Sequence, residues 1–181
     1  MKKKKTIFKL DLGDDFISKN IQYSIVGEFS LVDTKSYTNE STIKMIDNFV
    51  GHLFSHIQVK KHGTLIDEIE FPGIASTVEG CVEYPGLNVY NGKALASGFM
   101  AHKKYETKQL EAVGKLGDLG LGIFNDINIP IYKGGFEITF TRNSDDDVIY
   151  RCKADGNAAT LPSEGKIEIK NFLFKSASNR I

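Results

Sequence analysis

Residues 56–71, "HIQVKKHGTLIDEIEF", decide the fold prediction. Ile57 and Val59 alternate with polar neighbours, which is the period-two pattern of a strand with one buried face. A second alternating run follows the His62-Gly63 turn. The residues expected on one face of this second run are Leu65, Asp67, Ile69 and Phe71, and those expected on the other are Ile66, Glu68 and Glu70. Two such runs predict a β-hairpin in which Gly63 takes a positive φ.

Further segments show similar strand patterns. Residues 20–34, "NIQYSIVGEFSLVDT", are rich in β-branched and aromatic residues. In "FEITFTR", residues 136–142, the apolar residues share one face, and the polar turn "NSDDD" then leads into "VIYRC". In "KIEIKNFLFKSA", residues 166–177, the side chains expected to share a face are Ile167, Ile169 and Leu173. Together these segments predict an all-β, two-sheet antiparallel sandwich.

Helical signal is limited to two places. Residues 72–84, "PGIASTVEGCVEY", predict one or two helical turns, since Ile74, Val78 and Cys81 recur at helical spacing. Residues 103–115, "KKYETKQLEAVGK", predict a second short helix around Tyr105 to Lys115. The turn-rich residues between them predict a long loop.

The 181-residue length predicts one domain, over residues 16–176, with a flexible basic-then-acidic N-terminus at 1–15 and a tail at 177–181. Lysine plus arginine equals aspartate plus glutamate, at 23 each, so no net charge favours nucleic acid or anionic membranes. The basic residues available for nucleic acid cluster at the start, namely Lys2, Lys3, Lys4 and Lys5.

No signal peptide and no apolar run of membrane-spanning length is evident in the sequence. Cys81 and Cys152 lack partners at metal-site spacing and are interpreted as reduced thiols. The glycosylation-like pattern at Asn39 is interpreted as chance. We therefore expect an intracellular protein, in the cytoplasm or nucleus, without a membrane partner.

The histidines do not form a recognisable metal motif. His52 and His56 are four residues apart, but their neighbours alternate, and the glutamate of a zinc-protease helix is absent. His62 and His102 are interpreted as surface residues. The stretch from residue 48 to 80 is accordingly interpreted as scaffold.

Two other patterns were compared with known ligand sites. Gly117, Gly120 and Gly122 do not match a dinucleotide or P-loop pattern and predict a flexible loop. The "NSDDD" residues have calcium-loop alternation without the required glycine and glutamate, so a hairpin turn is the simpler interpretation. No nucleophile elbow is present. We predict no enzyme activity, and we assign no catalytic, cofactor or metal residue.

Three segments resemble the first jelly roll of double jelly-roll major capsid proteins. They are residues 48–84 ("NFVGHLFSHIQVKKHGTLIDEIEFPGIASTVEGCVEY"), residues 30–48 ("SLVDTKSYTNESTIKMIDN") and residues 122–150 ("GIFNDINIPIYKGGFEITFTRNSDDDVIY"). The group that they resemble is that of Polinton (Maverick) elements, adintoviruses and their relatives in invertebrate genomes. The resemblance implies an eight-stranded jelly roll that makes lateral contacts in a viral or virus-derived shell, and therefore a location in the virion as the alternative to an intracellular one.

The length departs from that family, whose chains carry two jelly rolls and form trimeric tiles. The chain has room for one jelly roll, so we expect either the first half of a longer capsid protein or a single jelly roll whose partner half is another chain or has been lost. Self-association as a trimer or larger is the expected partnership. The expected contact regions are the loop from Tyr84 to Lys104 and the segment from Gly114 to Gly122.

Two alternative functions remain open from the sequence. In a ligand- or carbohydrate-binding β-sandwich, Tyr84, Tyr90 and Tyr105 would stack on a sugar. In a cupin-like metal enzyme, which is also a jelly roll, the histidines would cluster on adjacent strands.

Overall fold

The computed structural model describes residues 5–10, 21–30, 43–83, 109–125, 135–151 and 165–175. The strands are β1 (Lys5–Leu10), β2 (Gln22–Ser30), β3 (Ile43–Met45), β4 (Phe54–Lys61), β5 (Thr64–Glu70), β6 (Gln109–Lys115), β7 (Phe136–Arg142), β8 (Ile149–Arg151) and β9 (Lys166–Lys175). The helices are α1 (Phe49–His52), α2 (Pro72–Glu83) and α3 (Gly122–Asn125), with 3-10 turns at Gly117–Leu119 and Asp145–Asp147.

Two antiparallel sheets face each other across an apolar core. One has the strand order β1-β7-β4-β5 and the other β6-β2-β9, while β3 and β8 form a two-stranded ribbon. Aromatic rings join the two sheets, because Phe54 and Phe140 of the first contact Phe172 of the second at centroid distances of 5.6 and 5.1 Å. The predicted two-sheet antiparallel sandwich is confirmed.

The predicted hairpin is β4 and β5. Ile57 and Val59 are fully buried, and the turn residues His62 and Gly63 both have positive φ, at 49° and 81°. Positive φ at both central positions is the requirement of a type I′ hairpin turn, which matches strand twist. Phe71 departs from the predicted alternation: its φ is 50° and its side chain is 53% exposed, since the chain turns there into α2.

Strand β7 confirms the face predicted for its apolar residues, which are buried. Its other face is also covered, since Thr139 and Thr141 are buried. Strand β7 is an interior strand of the four-stranded sheet, with β1 on one side and β4 on the other.

The face predicted for Leu173 in strand β9 was wrong. The register against β2 shifts between Val26 and Gly27, so that β9 skips Lys170 and changes which side chains face inward. Ile167 remains buried, whereas Leu173 is 49% exposed. A β-bulge moves every following side chain to the opposite face. Gly27 is required at this point, because a Cβ there would collide with the backbone carbonyl of Glu168.

Two further predictions were wrong. The helix predicted around Tyr105 to Lys115 is strand β6 over its described part, because Leu110 and Ala112 alternate with exposed neighbours and the strand pairs with β2. The flexible terminus predicted for residues 1–15 contains β1, which pairs with β7 from Lys5 to Leu10. In both segments pairing within a sheet determines the conformation, as is common when local propensity is weak.

Helix α2 is confirmed, at three turns instead of one or two. Its orientation is the opposite of what its apolar residues suggest. The spacing-related Ile74 and Val78 are exposed, and Cys81 is an exposed free thiol. The buried residues of α2 are Pro72 and three small residues, Gly73, Ser76 and Gly80, and the small residues allow close packing against α1.

Candidate functional site

The histidines predicted to be scaffold residues have separate partners. His52 ends α1, and its Nε2 lies 3.4 Å from the Thr77 hydroxyl of α2. His56 lies in β4, and its Nε2 is 3.2 Å from a Glu68 carboxylate oxygen. Within the described residues no group of three or more potential metal ligands occurs. The two histidines therefore do not converge on one site.

The acidic "NSDDD" segment forms a turn after β7, and polar contacts link it to neighbouring segments. The Arg142 guanidinium lies 2.7 Å from an Asp145 carboxylate oxygen and donates to the Leu53 carbonyl at 2.9 Å. Asp145 also accepts from the Ile167 backbone N–H at 3.3 Å. Burial lowers the pKa of Arg142, an effect that the Asp145 carboxylate opposes. These bonds connect the segment to Leu53 and Ile167. The turn is confirmed, but the hairpin interpretation was wrong, because β7 pairs with β1 and β4 whereas β8, the strand after the turn, pairs with β3.

The glycine-rich segment after β6 is not the flexible loop that we predicted. At most 1% of the surface of Leu116, Leu119 and Leu121 is exposed. Asp67 of β5 accepts a hydrogen bond of 2.9 Å from the Ile123 backbone N–H, which ties the segment to the sheet. From residue 116 to 121 this predicted contact region therefore contributes to the core instead of forming an exposed recognition loop.

The buried face of α2 is held by Asn48. The Asn48 amide nitrogen lies 2.7 Å from the Ser76 hydroxyl, 3.0 Å from the Thr77 hydroxyl and 3.3 Å from the Gly73 carbonyl. Asn48 has a φ of 56°, a left-handed conformation that asparagine tolerates better than most residues. This clamp fixes the first two turns of α2 and directs its apolar residues outward.

The outward residues form what we call the α2 apolar face. Its members are Phe71, Ile74, Val78 and Val82, with exposed fractions of 53%, 61%, 63% and 76%. Three of them are spaced by four residues, so they form one stripe along the helix. A contiguous exposed apolar stripe is typical of an interaction surface, whereas single exposed apolar residues are common.

A shallow cleft of about 150 Å³ adjoins this face. It is lined by His52, Phe54, Phe71, Gly73, Ile74, Asn143 and Asp147. Burial lowers the pKa of His52, while the nearby Asp147 carboxylate acts in the opposite direction. The cleft is small compared with the 300–1,000 Å³ of typical ligand pockets. It suits a single inserted side chain better than a small-molecule ligand.

Several predicted residues lie outside the part of the chain that the structure describes. They are Lys2, Lys3, Lys4, Asn39, Tyr84, Tyr90, His102, Tyr105 and Cys152, together with the loop from Tyr84 to Lys104. The tyrosine-based carbohydrate site therefore stays a prediction. The described helices include none that is long and apolar enough to span a membrane.

The α2 apolar face, the main candidate surface, was not predicted from the sequence. The available signal was the helical spacing of Ile74 and Val78, which we used to predict the helix alone. The second signal was the set of small residues on the opposite face of α2.

Comparison with solved structures identifies capsid proteins as structural neighbours. The chain is similar to PBCV-1 VP54, fitted into a reconstruction of the virophage Sputnik, with 12% identity and a TM-score of 0.54. It is also similar to the quasi-atomic model of the PBCV-1 virus capsid, with 11% identity and a TM-score of 0.53. A third similar structure, the mavirus major capsid protein, has 9% identity and a TM-score of 0.46.

These alignments cover 97%, 96% and 94% of this chain but only 38%, 38% and 42% of the matched chains. The chain thus spans about two-fifths of the length of the capsid chains that it matches. The neighbours are double jelly-roll major capsid proteins, and the predicted jelly-roll fold is confirmed. No protein-family model and no curated protein sequence matches the chain. The Polinton-type assignment stays a prediction.

Proposed function

We propose that this protein is a structural, non-enzymatic capsid-type jelly roll that self-associates or pairs with a second jelly roll to build a viral or virus-derived shell. The observation that carries the proposal is the fold similarity to viral capsid proteins over 96–97% of the chain in two alignments with TM-scores above 0.5. Since fold alone does not determine function, the proposal needs a surface that accounts for assembly.

The α2 apolar face is the surface that we assign to self-association. From the exposed fractions of its four side chains, it presents roughly 400 Å², about half of the ~800 Å² that each partner contributes to a standard interface. A second copy is the occupant that fits, because a two-fold contact places the same stripe on both sides of the interface. Val78 lies in the middle of the stripe and so at the centre of the contact.

Light scattering of the purified chain across a concentration series tests the proposal. We expect dimers through this two-fold contact, and trimers or larger particles where a second surface also associates, with fractions that rise with concentration. The Ile74→Lys/Val78→Lys double variant should raise the dissociation constant at least about tenfold, because it would bury two unpaired ammonium groups in the contact. Both positions are exposed, so the substitutions should leave the unfolding midpoint nearly unchanged.

Val113→Lys is the matched control. Val113 is 41% exposed on the three-stranded sheet and is not part of the α2 apolar face, so its substitution should preserve association. A wild-type chain that remains monomeric at every concentration would contradict self-association. Assembly that is unaffected by the double variant would show that the α2 apolar face is the wrong surface.

A further inference from the structure

The two principal sheets differ by one strand. Four strands, β1-β7-β4-β5, face three, β6-β2-β9, and within the described residues no strand pairs with the outer edge of β9. A complete jelly roll has eight strands in two sheets, whereas these two sheets contain seven. The three-stranded sheet has two outer edges, β6 and β9, and the β9 edge is the one where the Phe8 ring of β1 lies against the rings of β9. We call the exposed side formed by β1 and β9 the open edge.

The core is incompletely covered at the open edge. The Phe8 ring of β1 packs edge-on against Phe172 and Phe174 of β9, with centroid distances of 5.0 and 4.6 Å. All three rings are only partly buried, whereas Phe140, the neighbouring ring of β7, is fully buried. Apolar side chains from a strand added beside β9 would cover these three rings.

The charges at the open edge are mainly positive. Strands β1 and β9 carry five exposed lysines, namely Lys5, Lys9, Lys166, Lys170 and Lys175. The only acidic residue in these two strands is Glu168, which pairs with Lys170 at 3.2 Å. A strand with acidic outward residues would therefore complement this side of the molecule.

We propose that the open edge binds an extended, antiparallel segment of another polypeptide, with apolar side chains facing Phe8, Phe172 and Phe174 and acidic side chains facing outward. Main-chain hydrogen bonds to β9 provide affinity, and the alternating side chains provide specificity, as in other cases of strand addition. Every strand pair in the described sheets is antiparallel, which sets the expected direction. This inference goes beyond the proposed function, because strand addition does not require the chain to form a shell.

Hydrogen exchange of the full-length chain tests whether the edge is free. In β9, alternate backbone amides point towards β2 and should be protected, while the others should exchange rapidly in the monomer. Addition of a labelled ten-residue peptide of alternating valine and glutamate should protect this second set and give saturable fluorescence polarisation. If the second set is already protected in the monomer, the edge is paired within the chain and the proposal is overturned.

Methylated peptides distinguish strand pairing from charge attraction. One peptide carries N-methyl groups on all valines and the other on all glutamates, so their charges are identical. A strand bound along one edge uses only one of these two sets of N–H groups. We therefore expect one methylated peptide to bind as the parent does and the other to lose binding. Equal binding of both would overturn the proposal, as would equal binding of a sequence-scrambled peptide.

Lys170→Glu tests the charge component at the open edge, and Lys115→Glu on β6, at the opposite edge of the same sheet, is its matched control. We expect Lys170→Glu to weaken binding of the valine–glutamate peptide by about three- to tenfold, with a smaller effect at high salt. Equal effects of the two variants would contradict binding at the open edge. Peptide binding by a chain that stays monomeric would support this inference while contradicting self-association, so the two failures are distinguishable.

Discussion

The two sides of the sandwich treat their edges differently. On one side, which we call the closed side, residues 116–125 run beside β5, and Leu121 and Phe124 are almost fully buried. On the other, the open edge, Phe8 and Phe174 remain partly exposed between β1 and β9. Among the described residues, a segment of the chain covers the core on the closed side, whereas no such segment lies beside the open edge.

Exposed strand edges generally promote unwanted pairing, and proteins protect them with charges, bulges or covering segments. The closed side has a covering segment, which Asp67 holds through the Ile123 N–H. The open edge has lysines and the bulge at Lys170 instead. Lysines limit nonspecific association but still admit an acidic strand, so protection and selective binding are compatible there.

The largest expected effect on stability comes from truncating a leucine to alanine on the closed side, compared with the same substitution at the open edge. Leu121→Ala removes a fully buried leucine of the closed side and should lower the free energy of unfolding by about 2–5 kcal/mol. Leu173→Ala, at the open edge, removes an exposed leucine and should change it by less than about 0.5 kcal/mol. Urea unfolding measures both. Equal losses would show that Leu173 faces the core and that the β9 bulge is misplaced.

A smaller loss of stability is expected from removing the Asp67–Ile123 hydrogen bond, which holds the covering segment of the closed side. Asp67→Ala leaves the Ile123 N–H without its acceptor and should cost about 1–2 kcal/mol in urea unfolding. Asp67→Asn keeps an oxygen that can accept the bond and should recover most of this loss. Glu70→Ala, an exposed acid on the same strand, is the control and should be nearly neutral. A neutral Asp67→Ala would mean that residues 116–125 stay in place without this bond.

Alternation in the sequence predicted the parts of the fold that depend on local pattern. The β4–β5 hairpin and the apolar face of β7 follow from period-two spacing and from Gly63 in the turn. The bulge in β9 was not predictable, because it depends on Gly27 of a strand distant in sequence. Strand β6 was wrongly predicted as a helix. Its conformation is determined by pairing with β2, which the local sequence does not show.

The candidate surfaces were less predictable than the fold, for a related reason. The spacing of Ile74 and Val78 predicts a helix but does not say whether its apolar or its small-residue face packs inward. Here Asn48 and the close approach of Gly51 to Gly73 determine the answer. The open edge depends on which strands become neighbours, which no single segment encodes.

The smallest expected effect concerns His52, which joins the helical pair beside the closed side. Because α2 packs on the 3-10 turn Gly117–Leu119, the His52–Thr77 contact belongs to the packing of that side. Burial holds the pKa of His52 below its ordinary 6.5, so the unfolded chain binds the proton more readily than the folded chain. The contribution of His52 to stability is therefore complete above pH 6.5 and is lost as the pH falls from 6.5 through the lower folded pKa.

Thermal unfolding between pH 7.5 and 5 should show a decline in the unfolding midpoint. His52→Gln should reduce this decline, and His62→Asn, in the exposed turn, should leave it unchanged. A decline of the same size in His52→Gln would assign the pH dependence to other groups and leave α1–α2 packing without a titrating contact.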